Sequence, residues 1–160
     1  MRIVDILSED LIVPDLTATT KAGVIAEVCA HVSRVRPFVP LERAVTILLD
    51  RERLGSTGVG QGFAIPHGKL AELEGVVACF ARSTRGVAFD SLDGNPAYLF
   101  FTLLAPQGAA GLHLKALARA SRLFKEESFR NALIAEVDPT KLFQIIEAQD
   151  ESLSRASERG

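Results

Sequence analysis

Two long apolar runs constrain the fold of this chain more than any other feature of its sequence. They are VVACFA at residues 76–81 and AYLFFTLL at residues 97–104. Runs that are almost entirely apolar predict strands buried on both faces, because a strand with one solvated face alternates apolar and polar side chains. A sheet of such strands needs helices on each side. The sequence therefore predicts a layered domain with a central sheet.

Segments with helical periodicity stand on both sides of these runs in the chain. Apolar side chains recur at helical spacing up to about Val35 and in residues 41–54, with Thr19 or Thr20 suited to cap the first helix. Further helical patterns cover about residues 112–125 and 128–149, the latter divided at Pro139. The order predicts an α/β fold, a single domain with a mixed β-sheet flanked by helices on both faces.

The length of the chain, 160 residues, is that of one domain. Residues 1–149 contain the periodic apolar segments and are assigned to that domain. Residues 150–160, DESLSRASERG, contain almost no apolar side chains. We expect this polar tail to be disordered, because it has too little apolar surface to bury.

Composition and charge exclude several classes of protein. A net charge of −2 argues against nucleic-acid binding, which requires a basic surface. No apolar stretch approaches the ~20 residues of a membrane span, so we expect no membrane insertion. Cys29 and Cys79 lie in apolar segments without C-x-x-C spacing and are predicted to be free buried thiols. These observations favour a cytoplasmic protein.

A glycine-rich segment precedes the most informative histidine. Residues 51–70 read RERLGSTGVGQGFAIPHGKL. Glycine adopts positive φ and leaves neighbouring amides uncovered, so a loop of this kind can direct several N–H groups toward one anion. We expect the phosphate-binding residues to be Gly55, Ser56, Thr57 and Gly58.

His67 is the candidate nucleophile. Pro66 restricts the backbone before it and Gly68 leaves space after it, which predicts an imidazole on a stiff, accessible turn. At pH 7 an ordinary imidazole is largely neutral, so one ring nitrogen can attack phosphorus while the other carries the proton. The alternative interpretation is a histidine that only hydrogen-bonds the backbone.

Other charged residues near the motif, and a second histidine, could assist this chemistry. Arg51 lies at the end of the second predicted helix and could pair with a phosphoryl group through two N–H donors. Arg53 and Lys69 are weaker candidates for the same role. His113 lies at the start of a predicted helix, where positive partial charge favours an anion. It could orient a phosphoryl group on His67, or it could be a solvent-exposed residue.

Several alternative chemistries do not fit the sequence. The segment from Gly62 to Lys69 has neither the spacing nor the Ser or Thr of a nucleotide-binding P-loop. His67 and His113 lack the accompanying ligands of a zinc site, so no metal is predicted. A hydrolase that uses His67 as general base would lack a recognisable nucleophile, since there is no G-x-S-x-G motif.

The motif at residues 51–70 resembles the active-site signature of a known family. It is similar to enzyme IIA domains of the fructose/mannitol type in the bacterial phosphoenolpyruvate-dependent phosphotransferase system, and most similar to their nitrogen-regulatory members. The resemblance extends, in order and spacing, to FDSLDGNPAYLFFTLLAP at 89–106 and HLKALARASRLF at 113–124. It implies that residues 1–149 form a phosphotransferase-system IIA type-2 domain.

The resemblance also implies roles for individual residues. The family's phosphorylated histidine corresponds to His67, its second active-site histidine to His113, and its active-site arginine to Arg51. The implied donor is an HPr-type phosphocarrier protein, with Phe63 among the apolar residues expected to contact it. No metal or organic cofactor is implied, because the donor already carries an activated phosphoryl group.

Two cellular roles are compatible with that chemistry. The chain could be a nitrogen-related regulatory protein whose phosphorylation state determines which target proteins it binds. Alternatively, it could be a sugar-transport IIA component that passes the phosphoryl group to a IIB cysteine.

Overall fold

The computed structural model describes the backbone of residues 1–159 and the side chains of residues 1–157. The helices are α1 (Lys21–Val35), α2 (Leu41–Arg53), α3 (Ala110–Phe124), α4 (Glu127–Ile134) and α5 (Pro139–Arg159). The strands are β1 (Ile12–Val13), β2 (Gly58–Gly60), β3 (Phe63–Ala64), β4 (His67–Leu70), β5 (Val77–Val87) and β6 (Ala97–Pro106). Two short 3-10 turns, Ile3–Asp5 and Glu9–Leu11, precede β1.

The first two helices form where periodicity predicts them. Thr20 is the N-cap of α1, and its hydroxyl oxygen accepts the Gly23 N–H at 3.1 Å. Pro40 precedes α2 directly, where its missing N–H is not needed. Each helix buries one apolar stripe, which includes Val28 in α1 and Leu48 in α2.

The two apolar runs form the centre of a mixed six-stranded sheet, as predicted. The order is β1-β5-β6-β3-β2, with β4 pairing with β6 beyond β3. β5 is antiparallel to β6, whereas β3 and β4 run parallel to β6. β6 therefore has paired strands along both edges. None of its residues is exposed, because helices cover both faces of the sheet.

Helices cover both faces of this sheet. Phe101 and the residue paired with it, Phe80, face α3, where their rings contact Phe124 with centroid separations of 5.6 and 6.0 Å. On the opposite face, Gly68 of β4 lies against Ile47 of α2. Because successive strand residues point to opposite faces, His67 projects to the side covered by α3.

The glycine-rich segment differs from the predicted loop. Residues 58–60 form β2, which pairs antiparallel with β3 around a turn in which Gln61 and Gly62 have φ of 57° and 83°. His67 is the first residue of β4, and it lies opposite Leu103 of β6. The prediction of a turn at His67 was therefore wrong. Local sequence does not show these pairings because the partner strand β6 lies more than thirty residues away.

The expected disordered tail is helical as far as Arg159. Asp150 is completely buried, accepts the Ile3 N–H at 2.8 Å and pairs with Arg119 at 2.7 Å. These contacts connect α5 to the N-terminal turn and to α3. A buried ion pair thus orders a segment of low apolar content, which composition alone could not indicate. Gly160, the last residue of the predicted tail, lies outside the described residues.

Candidate active site

Three segments that are distant in sequence bring Arg51, His67 and His113 together. Arg51 comes from the last turn of α2, His67 begins β4, and His113 lies in the first turns of α3. The Arg51 Nε donates to His67 Nε2 at 3.3 Å. The two imidazole rings are 5.4 Å apart between centroids, with an interplanar angle of 70°. This separation is close enough for one phosphoryl group to contact both rings.

A backbone carbonyl determines the tautomer of His67. The Nδ1 atom lies 2.8 Å from the carbonyl oxygen of Ile65, which can only accept a hydrogen bond. Nδ1 therefore carries the proton, and Nε2 keeps a lone pair. The N–H donated by Arg51 to Nε2 agrees with this assignment. The nitrogen that keeps its lone pair is thus Nε2, and the ring is held by a carbonyl that sequence reasoning did not identify.

Arg51 is held from two sides. Its Nη1 donates to the carbonyl oxygen of Gly55 at 2.9 Å, while its Nε faces His67. Gly55 directly follows Leu54, the C-cap of α2, and has a φ of 145°, a conformation that favours glycine. The contribution of Gly55 to the site is therefore its carbonyl, which orients the guanidinium.

His113 is buried, so the interpretation of a solvent-exposed residue was wrong, and its role in orienting a phosphoryl group stays a prediction. Only 7% of the residue is accessible, and its Nε2 has no hydrogen-bond partner within the part of the chain that the structure describes. The N-cap of α3, Ala109, provides no side-chain acceptor for the N–H groups of the first turn. The α3 end of the site thus offers polar groups that an anion could satisfy.

The neutral form of both histidines is favoured. Burial lowers the pKa of His67 below its ordinary value of 6.5, and the Arg51 guanidinium lowers it further, while the Ile65 carbonyl and Glu52 act in the opposite direction. Burial also lowers the pKa of His113, with additional contributions from His67 and Lys69. Neutral imidazole is the form that a nucleophile requires.

The amides predicted to bind phosphate are occupied inside the protein. The Gly55 N–H donates to the Glu52 carbonyl at 3.2 Å, and the Thr57 N–H donates to the Glu52 carboxylate at 3.1 Å. The Gly58 N–H donates to the Ser56 hydroxyl at 3.0 Å, and that hydroxyl donates to the Phe89 carbonyl at 2.6 Å. In this conformation these three amides do not converge on an anion. Glu52 holds the amides of Gly55 and Thr57, and the Ser56 hydroxyl holds that of Gly58.

The structure also shows where the weaker cationic candidates, Arg53 and Lys69, and the expected contact residue Phe63 lie. Arg53 is exposed and pairs with Asp50 at 2.6 Å, away from the histidines. Lys69 is exposed but close enough to influence the pKa of His113. Phe63 is only 7% accessible and stacks on Phe124 at 5.6 Å, so the expectation that it contacts a donor protein was wrong.

Sequence reasoning missed two charged residues behind Arg51. Glu52 is buried, and the ammonium group of Lys21 lies 3.1 Å from its carboxylate. Glu52 lies inside the recognised motif, so its adjacency to Arg51 was the available signal. Lys21 begins α1, thirty residues earlier in the chain, and nothing in its local sequence indicates the contact.

Comparison with known proteins identifies the family of this chain. Residues 5–149 match the family described as "Phosphoenolpyruvate-dependent sugar phosphotransferase system, EIIA 2". The chain is 42% identical to a nitrogen regulatory protein of Bradyrhizobium diazoefficiens over 147 residues, which cover 91% of this chain and 95% of that protein. It is 34% identical, over 94% of its own length, to 24% of the fructose-specific EIIABC component of Bacillus subtilis.

A solved structure has the same fold. The nitrogen regulatory protein IIA-Ntr from Neisseria meningitidis superposes with a TM-score of 0.83 at 34% identity, covering 90% of this chain and 98% of that one. The chain therefore belongs to the EIIA type-2 family of the phosphotransferase system. Proteins of this family are phosphocarriers of the phosphotransferase type. Among residues 1–159, no helix is both long and apolar enough to cross a membrane.

Proposed function

We propose that this protein accepts a phosphoryl group from an HPr-type phosphohistidine protein onto Nε2 of His67, and that it acts mainly as a nitrogen-related regulatory IIA protein. The observation that carries the proposal is the arrangement around the ring. Nδ1–H is bound to the Ile65 carbonyl, and Nε2 faces Arg51 with His113 alongside.

The reaction is an exchange of one phosphorus–nitrogen bond for another. The Nε2 lone pair of His67 attacks phosphorus, and the bond to the donor's ring nitrogen breaks with its electron pair returning to that ring. His67 keeps the proton on Nδ1, bound to Ile65, throughout the transfer. Catalysis is then a matter of positioning and charge stabilisation, as in other phosphoryl transfers.

Two side chains supply the stabilisation. The acquired group brings about −1.5 to −2 charges and three acceptor oxygens. The Arg51 guanidinium, already at 3.3 Å from Nε2, is placed to pair with these oxygens. His113 supplies an N–H from its unpartnered Nε2, beside the N-terminus of α3. The occupied amides of Gly55, Thr57 and Gly58 have no part in this scheme.

Exposed leucines on the elements that carry the site provide a surface for the donor. Leu112 and Leu114 flank His113 and are 38% and 67% accessible, and Leu54 at the end of α2 is 84% accessible. We propose that this rim, rather than Phe63, contacts the phosphocarrier. We place the reaction in the cytoplasm, because Cys29 and Cys79 are free buried thiols of the kind that reducing compartments maintain.

The proposal is tested by transfer of labelled phosphate from phosphoenolpyruvate through enzyme I and an HPr-type protein. The wild type and His31→Ala should take up one acid-labile label, whereas His67→Ala should take up none. His31 is a matched control, because its Nε2 bonds the Asp10 carbonyl on a different part of the surface. Label retained by His67→Ala, or absent from the wild type with a competent donor, would overturn the assignment.

A second candidate role is sugar transport, favoured by the 34% identity to the fructose-specific component of Bacillus subtilis. In that role, His67 would pass its phosphoryl group to a IIB cysteine. Incubation of the labelled protein with purified IIB domains tests it. Rapid loss of label to a cysteine would favour transport, and stable label in the presence of IIB would favour regulation.

A further inference from the structure

A buried polar cluster lies directly behind Arg51. The Glu52 carboxylate accepts the Thr57 hydroxyl at 2.5 Å and the Thr57 N–H at 3.1 Å. The Lys21 ammonium lies 3.1 Å from the same carboxylate and 3.3 Å from that of Asp90. Only 4% of the Glu52 side chain is accessible, so it cannot contact a docked protein.

The cluster controls the short segment that holds Arg51. Glu52 and Thr57 are the two ends of a six-residue segment that their hydrogen bonds close, and Gly55 lies between them. The Gly55 carbonyl accepts the Arg51 Nη1 at 2.9 Å. Besides the bonds between Thr57 and Glu52, this segment is held by the Gly55 N–H on the Glu52 carbonyl and by the Ser56 hydroxyl on the Phe89 carbonyl. Loss of the Thr57–Glu52 bonds would therefore leave the Gly55 carbonyl less firmly positioned.

The energetics favour a role in positioning. A buried ion pair contributes little net stability, since its attraction is offset by the cost of removing both charges from water. Its hydrogen bonds are directional, however, and define one geometry. Lys21 is further held 4.8 Å above the Phe89 ring and 3.4 Å from the Ser56 hydroxyl, so the cation has a single location.

We propose that Glu52 is a positioning residue for phosphoryl transfer. By closing the segment from Gly55 to Thr57, it places the Gly55 carbonyl so that Arg51 is held against Nε2 of His67. Lys21 holds the Glu52 carboxylate in place through their contact at 3.1 Å. This inference rests on the proposed function of His67 and concerns a residue that touches neither the phosphoryl group nor the donor.

Two substitutions perturb the cluster with little change in shape. Glu52→Gln removes the charge and leaves Lys21 paired with Asp90, so no cation becomes uncompensated. Thr57→Val replaces the hydroxyl with a methyl group of similar size, whereas Thr57→Ser keeps the hydroxyl. Asp50→Asn is the matched control, because Asp50 is an exposed carboxylate on the same helix that pairs with Arg53 outside the site.

The measurement is the single-turnover rate of phosphoryl uptake as a function of donor concentration. Glu52→Gln should lower the maximal rate constant by about 10- to 100-fold, because a misplacement of about 1 Å in a reacting site has effects of this size. The donor concentration at half-saturation should not change. Thr57→Val should lower the maximal rate constant by a smaller factor. Thr57→Ser, which keeps the hydroxyl, and Asp50→Asn should both have the rate constant of the wild type.

Coupling to Arg51 separates positioning from a general structural effect. In an Arg51→Met background, Glu52→Gln should produce no additional loss, because the group through which it acts is gone. The inference would be overturned if the losses of rate from the two single substitutions added in the double variant, or if Glu52→Gln alone had the wild-type rate. Absence of uptake by the wild type would instead refute the proposed function.

An NMR titration provides a readout that does not depend on transfer. Arg51 lowers the pKa of His67, so displacement of its guanidinium should raise that pKa. Thr57→Val changes no charge and should therefore shift the His67 titration upward, whereas Thr57→Ser should not. An unchanged midpoint in Thr57→Val would contradict the proposed path from the cluster to Arg51.

Discussion

Gly68→Ala should impair the site through steric contact alone. A Cβ at this position would lie 2.5 Å from Cγ2 of Ile47 in α2, about 0.9 Å closer than ordinary contact. The backbone of Gly68 lies outside the left-handed region, so alanine introduces no conformational strain. Cγ2 is fixed to the branched Cβ of a helical isoleucine, whose χ1 has one strongly preferred value. The helix must therefore move rather than the side chain.

The expected magnitude follows from this displacement. Ile47 lies one helical turn before Arg51, on the same face of α2, so a shift of about 1 Å reaches the guanidinium. Overpacking of this kind costs about 1–3 kcal/mol of unfolding free energy. A similar misplacement in a reacting site lowers rates by about 100-fold. We expect both losses together.

The assay combines urea denaturation with the rate of phosphoryl uptake. Gly75→Ala is the matched control, because a Cβ there meets no atom within 4 Å. Ile47→Leu introduced into Gly68→Ala removes Cγ2 and should restore part of both quantities. An unchanged rate in a destabilised Gly68→Ala would refute the argument that β4 and α2 together hold Arg51 in register with His67.

Further predictions concern protonation and the C-terminal helix. NMR titration should give pKa values below 6.5 for His67 and His113. Because the unfolded chain then binds protons more readily, the free energy of unfolding should decrease as the pH falls below about 6.5, through the lowered folded-state values. Replacing both histidines by asparagine should reduce the pH dependence of the unfolding free energy in denaturation experiments. An unchanged slope of that free energy against pH would contradict the prediction. Asp150→Ala leaves the buried Arg119 head group without its carboxylate and the Ile3 N–H without its acceptor. It should cost about 3–5 kcal/mol in urea denaturation, whereas a loss near zero would contradict the packing of α5.

Much of the fold follows from local pattern. The runs at 76–81 and 97–104 predicted the two central strands because burial on both faces requires continuous apolar sequence. A cap at Thr19 or Thr20 and the periodicity up to Val35 predicted α1, and the structure selects Thr20 as its N-cap. The helical extent of α5 was missed, because its order depends on the burial of Asp150 by residues more than thirty positions away.

The candidate site divides in the same way. The residues that we propose for the chemistry, His67 and Arg51, are recognisable in a single motif. Their hydrogen-bond partners are not. The Ile65 carbonyl and the occupied amides of the glycine segment are backbone groups, and a sequence does not show where a backbone group points.

The sequence by itself determined which groups are available for phosphoryl transfer, because imidazole and guanidinium chemistry belongs to the side chains. Only the tertiary structure decided which nitrogen of His67 is free, that His113 is buried beside it, and that Glu52 stands behind Arg51. Those relations depend on the pairing of β4 with β6 and the packing of α2 and α3 around it. They arise from contacts between distant parts of the chain, which local sequence does not specify.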